Sequence, residues 1–96
     1  VKSLITHYME NAQKLRSACS EIGLSVYGGQ NAPYVWAACP DSIDSWEMFD
    51  KMLNEANVVI TPGAGFGEAG EGFFRISAFN SKSNVDTVCE RLKATL

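Results

Sequence analysis

Arg75 is the one charged residue in the apolar run Phe73-Phe74-Arg75-Ile76-Ser77, which stands directly behind a glycine-rich loop. Burying a guanidinium in such a run is costly unless an anion meets it. Arg75 is therefore a candidate receptor for a carboxylate or a phosphate. A planar guanidinium pairs with a carboxylate through two parallel hydrogen bonds, which fixes orientation as well as adding strength. An internal ion pair with one of the eleven acidic side chains accounts for it equally well from spacing alone.

The loop in front of it, within residues 61–77 (TPGAGFGEAGEGFFRIS), contains Gly65-Phe66-Gly67-Glu68-Ala69-Gly70, a literal G-x-G-x-x-G. A dinucleotide site needs a helix to open at that point, with its N-terminus toward the pyrophosphate. Here a second strand follows instead, and Glu68 and Glu71 would repel phosphate. A tight loop with several positive φ angles explains the glycines. It leaves Pro62, Phe66 and Arg75 unexplained as a set, whereas a glycine-rich loop that lets a ligand approach closely, followed by a strand arginine, fits carboxylate recognition.

Other candidates carry less. His7 has no partner at metal-ligand spacing and reads as a surface histidine. Trp36, Trp46, Met48 and Met52 read as packing residues, and Glu68 with Glu71 as a solvated loop. Tyr34, after a proline turn, is either core or pocket wall. No nucleophile elbow, Ser/His/Asp order or P-loop is present.

Ninety-six residues hold one domain, 1–96, and not two. A net charge of −3 argues against nucleic acid or an anionic membrane as partner. No apolar run approaches the ~20 residues of a membrane span. Cys19, Cys39 and Cys89 are odd in number and widely spaced, which suits reduced thiols in a cytosol-like compartment. A first residue Val1 in place of methionine suggests a processed chain or a piece of a longer one.

The elements that must position Arg75 follow from periodicity. Ile5, Tyr8, Ala12, Leu15, Cys19 and Ile22 form one helical stripe, stopped by Gly23. Residues 24–27 predict a short strand, and Gly28-Gly29 breaks it. Asn31-Ala32-Pro33 turns the chain into a second strand over 34–38, which Pro40-Asp41 ends. Asp44 with Glu47 reads as a capping box before a helix carrying Trp46, Phe49, Met52, Leu53 and Ala56. Residues 58–60 predict a third strand and 73–79 a fourth. Ser83 and Asp86 cap a last helix in which Val85, Val88, Cys89 and Leu92 face inward. The expected fold is α+β: a sheet of about four strands with three helices on one face, in the order α-β-β-α-β-β-α.

Two segments together resemble a known family. Val58-Val59-Ile60-Thr61-Pro62-Gly63, Phe66-Gly67 and Gly72-Phe73-Phe74-Arg75-Ile76-Ser77 are similar to the C-terminal part of class I/II pyridoxal-phosphate aminotransferases of fold type I. Gly28 to Trp36, with Ser45-Trp46 and Phe49-Asp50-Lys51, looks like the LL-diaminopimelate aminotransferase branch of lysine biosynthesis. The resemblance covers essentially the whole chain. It implies that Arg75 grips the substrate α-carboxylate, that Tyr34 is a pocket wall and that Asn31 lies near the substrate. It implies transamination between glutamate and tetrahydrodipicolinate, a homodimer, and a cytoplasmic or plastid setting.

The family's Schiff-base lysine, pyridine-nitrogen aspartate and phosphate cup all belong upstream of this region. Lys2, Lys14, Lys51, Lys82 and Lys93 do not sit in its lysine motif. The expectation is therefore a small domain that supplies the substrate clamp, with no catalytic residue and no pyridoxal phosphate bound by the isolated chain. The competing reading is a free-standing, non-catalytic module that binds amino or keto acids, or a purely structural domain.

Overall fold

In the computed structural model, the described residues are 3–30, 32–40 and 43–96. The expectations placed on Val1, Lys2, Asn31 and Asp41 lie outside them. Helix α1 (Leu4–Glu21) opens at Ser3, whose side chain accepts from Thr6 N, and turns Asn11, Ala12, Leu15, Ala18 and Cys19 inward. Gly23, at φ 86°, takes the left-handed conformation that ends it. Helix α2 (Ser45–Lys51) carries the expected capping box, with Asp44 and Glu47 satisfying each other's backbone. It runs on as a π-helical turn over Met52–Ala56, which Asn57 ends in the left-handed region. Helix α3 (Lys82–Thr95) follows a cap at Ser81.

Strands β1 (Val26–Gly28), β2 (Tyr34–Ala38), β3 (Thr61–Pro62) and β4 (Phe73–Ser77) form an antiparallel sheet in the order β1-β2-β4-β3. The pleat sends alternate residues to opposite faces. Val35, Ala37, Phe74 and Ile76 join Ala12, Leu15 and Cys19 of α1, Met48 and Met52, and Val85 and Leu92 of α3 in one core. The other face carries the cross-strand row Tyr27, Trp36, Arg75 and Thr61. The sequence pattern thus yields an α+β fold with a helix-covered face and an aromatic face that bears the arginine.

Several boundaries differ from the pattern, each for a nonlocal reason. Within 58–60, Val58 and Ile60 are buried and Val59 is 71% exposed, as in a strand, yet ladder pairing begins only at Thr61 opposite Arg75. Strand β4 stops at Ser77 and not at 79. Ala78 N bonds Pro33 O, while the buried Asn11 amide donates to Ala78 O and Asn80 O and draws the chain out of the sheet. That diversion also makes Ser81, not Ser83, the cap of α3. Strand β1 sits two residues later than expected at its start, although Ala38 N still reaches Ser25 O. Met48 and Met52 are core as read, but Trp46 is 56% exposed and stands edge-on to Phe49.

Candidate carboxylate site

Arg75 occupies the centre of the open face because it is the middle residue of β4, with Trp36 and Thr61 as its lateral neighbours. Tyr34 is opposite Ser77 and so lies diagonal to Arg75 on the same face, within reach of a long side chain. Its ring lies 4.2 Å from the guanidinium carbon. Phe66 folds over from the glycine loop and places its ring 4.9 Å from the same carbon. Phe66 also meets Trp36 edge-on at 5.2 Å, so loop and sheet share one aromatic cluster. Two rings therefore stack on the cation, each contributing on the order of 0.5–2 kcal/mol.

Both rings thus lie within cation-π range of the guanidinium. Arg75 Nε is buried, and no described atom accepts from it. No described carboxylate pairs with Arg75; the described ion pairs are Lys14–Asp86, Lys51–Glu55 and Lys93–Glu21, all elsewhere. The internal ion pair that spacing left open thus has no partner among the described residues. Beside the arginine is a shallow recess of about 270 Å³ between Gly29, Gln30, Ala32, Tyr34 and Trp36. Its rim is the β1–β2 loop, which Arg16 holds by donating to Gly28 O.

Of the residues singled out from sequence, the fold brings Arg75 and Tyr34 together, while Asn31 lies outside the described residues. Phe66, singled out with Pro62 and Arg75, is part of the cluster too. Glu71 is exposed in its loop, as read, but its carboxylate is also engaged across the fold. Ser45 N and Ser45 Oγ donate to its two oxygens at 3.1 and 2.8 Å. His7 is half-buried, with Nε2 3.2 Å from Asn80 O.

The glycine loop forms two 3-10 turns, Gly63–Phe66 and Glu68–Gly70. Its backbone N–H groups turn inward: Ala64 donates to Ser45 Oγ, Gly67 to Ala64 O, Gly70 to Gly67 O and Glu71 to Glu68 O. A phosphate cradle needs such groups free and convergent. The nucleotide reading fails on this count as well as on the strand that follows.

The thiols are structural. Burial pushes the Cys19 thiol up to about 11, and Cys39 is pushed equally far by burial and the nearby Glu71 and Asp44 carboxylates. All three cysteines are free. No described group of His, Cys, Asp and Glu is arranged to hold a metal, and no described helix is long and apolar enough to cross a membrane.

With this geometry in place, comparison with known proteins is specific. A cyanobacterial LL-diaminopimelate aminotransferase, from Prochlorococcus marinus (strain MIT 9211), is 58% identical over 92 residues, covering 96% of this chain and 22% of that protein. The solved L,L-diaminopimelate aminotransferase from Chlamydomonas reinhardtii superposes with a TM-score of 0.88 at 47% identity, over 93% of this chain and 22% of its own. An aromatic aminotransferase from Pyrococcus horikoshii OT3 superposes at 0.87 with 29% identity, over 93% of this chain and 24% of its own. The chain thus spans about a fifth of the length of these relatives. The family described as aminotransferase class I and II matches residues 1–92. On sequence and fold together, the chain belongs to the class I and II aminotransferases.

Proposed function

We propose that this chain is the C-terminal small domain of a pyridoxal-phosphate-dependent aminotransferase and that Arg75 binds the α-carboxylate of its substrate. The observation that carries this is the Arg75 guanidinium, within 4.2 and 4.9 Å of the Tyr34 and Phe66 rings, with a buried Nε that has no described acceptor and no described carboxylate beside it. Contact with the rings restricts the guanidinium, so a planar anion can be met with less further loss of side-chain freedom. Tyr34 forms one wall of the recess.

The described residues do not fit the cofactor itself. Lys14, Lys51 and Lys93 are engaged with Asp86, Glu55 and Glu21 on the helical side, and Lys82 opens α3. Four of the loop amides, those of Ala64, Gly67, Gly70 and Glu71, are used internally. When held by the remainder of such an enzyme, pyridoxal phosphate would supply the electron sink for transamination. This chain's part is to anchor and orient the acid.

The similarity to two LL-diaminopimelate aminotransferases favours glutamate and tetrahydrodipicolinate as the substrates of the whole protein, acting as a homodimer. In the full-length protein, Arg75→Ala should remove a charge-assisted pair worth about 1.5–3 kcal/mol, about ten- to more than a hundredfold in kcat/KM, with the cofactor still bound. Activity retained within twofold would refute the role of Arg75. Turnover of aromatic amino acids, with none of diaminopimelate, would refute the substrate assignment while leaving the clamp intact.

A further inference from the structure

Phe66 is fixed differently from the other ring on Arg75. Tyr34 is set by its strand, whereas Phe66 stands on a loop whose two ends meet at one side chain. Ser45, fully buried at the start of α2, accepts from Ala64 N through Oγ at 3.3 Å and donates the same hydroxyl to Glu71 at 2.8 Å. Its backbone N–H adds a second bond to the Glu71 carboxylate. Ala64 lies two residues before Phe66, and Glu71 lies four before Arg75. Between them the loop closes on itself, since Gly63 and Gly70 approach too closely for a side chain at either.

We infer that Ser45 and Glu71 form a clasp that sets the position of Phe66 and, through it, the orientation of the Arg75 guanidinium. They are positioning residues for carboxylate recognition, and this rests on the reading of Arg75 given above. A buried hydroxyl that donates and accepts at once has little freedom to move, and a carboxylate taking two bonds from one residue fixes direction as well as distance. Releasing the clasp frees Phe66 to leave the guanidinium face. Arg75 then samples rotamers that a carboxylate must restrict again on binding.

The test is a double-mutant cycle on the full-length protein, titrating glutarate as a plain dicarboxylate by calorimetry. Glu71→Gln keeps the size of the side chain but presents an amide where Ser45 Oγ donates. It should weaken glutarate binding about five- to thirtyfold, as should Phe66→Ala, and the double variant should be no weaker than Phe66→Ala alone. A clasp that only stabilises the fold would lower the melting temperature and leave glutarate affinity within twofold of wild type, which would overturn the inference. Additive losses in the cycle would also overturn it. Ser45→Ala provides the same cycle from the other side of the clasp if Glu71→Gln does not fold, and failure of both to fold assigns the clasp to stability alone. Arg75→Ala separates the two ideas. If it binds glutarate as tightly as wild type, the carboxylate reading fails. If it loses binding while Glu71→Gln does not, only the clasp fails.

Discussion

Two glycines of the same loop should respond oppositely to alanine. A Cβ built on Gly63 would sit 1.9 Å from Gly70 O and 2.7 Å from Phe73 O, both backbone atoms with no side-chain freedom to withdraw. Relieving the closer contact needs a shift of about 1 Å in the loop, and overpacking of this kind costs about 1–3 kcal/mol. The shift also pulls Ala64 N from Ser45 Oγ, leaving a buried hydroxyl one partner short, for roughly another 1 kcal/mol. Gly63→Ala should therefore destabilise by about 2–4 kcal/mol in total. Gly65 has nothing within 4 Å of its Cβ position and is not among the glycines with positive φ. Gly65→Ala should be neutral, or stabilising by up to about 1 kcal/mol through the unfolded chain. Urea unfolding followed by tryptophan fluorescence measures both, with the midpoint moving and the slope constant. A Gly63→Ala variant within 0.5 kcal/mol of wild type, or an equal loss in both variants, would refute the backbone-to-backbone closure of the loop.

Further outcomes follow from the same structure. The Cys19 thiol, raised from the usual 9.0 to about 11 by burial, keeps its proton in the fold longer than in the unfolded chain. Stability from this group is therefore full below pH ~9 and is lost as pH rises through ~11, by on the order of a few kcal/mol at most; Cys19→Ala should flatten that part of the decline in a pH series of unfolding curves. Asn11→Ala removes two hydrogen bonds of about 0.5–1.5 kcal/mol each, while Asn80 N and His7 Nε2 still reach Ala78 O and Asn80 O; Asn11→Asp, facing two carbonyls, should cost more at neutral pH than at pH 3. The isolated 96-residue chain should bind no pyridoxal phosphate; an absorbance band near ~400 nm that borohydride fixes onto a lysine would contradict this.

Local chemistry made much of this molecule legible in the chain itself. The capping box at Asp44 and Glu47, the stripe Ala12-Leu15-Cys19 and the buried pair Met48 and Met52 depend on neighbours within a turn or two, so their spacing reports them directly. Strand β2 was read to the residue because its glycine and proline boundaries are local as well. Arg75 stood out because a charge in an apolar strand demands a partner wherever the strand lies. What the chain could not disclose was who that partner is and what surrounds it.

Tertiary structure decided the rest, for one physical reason: cross-strand and loop contacts join residues with no fixed separation in sequence. Antiparallel register placed Trp36 and Thr61 beside Arg75, and it began β3 at Thr61 instead of Val58. A hydrogen bond spanning 26 residues ties the exposed carboxylate of Glu71 to the buried Ser45 hydroxyl. The fold brought the rings of Phe66 and Tyr34, 32 positions apart, to 4.9 and 4.2 Å from one guanidinium carbon. The sequence alone marked Arg75 as a charge in an apolar strand; only the fold set it against two aromatic rings beside a recess, because those contacts join residues at no fixed separation in sequence.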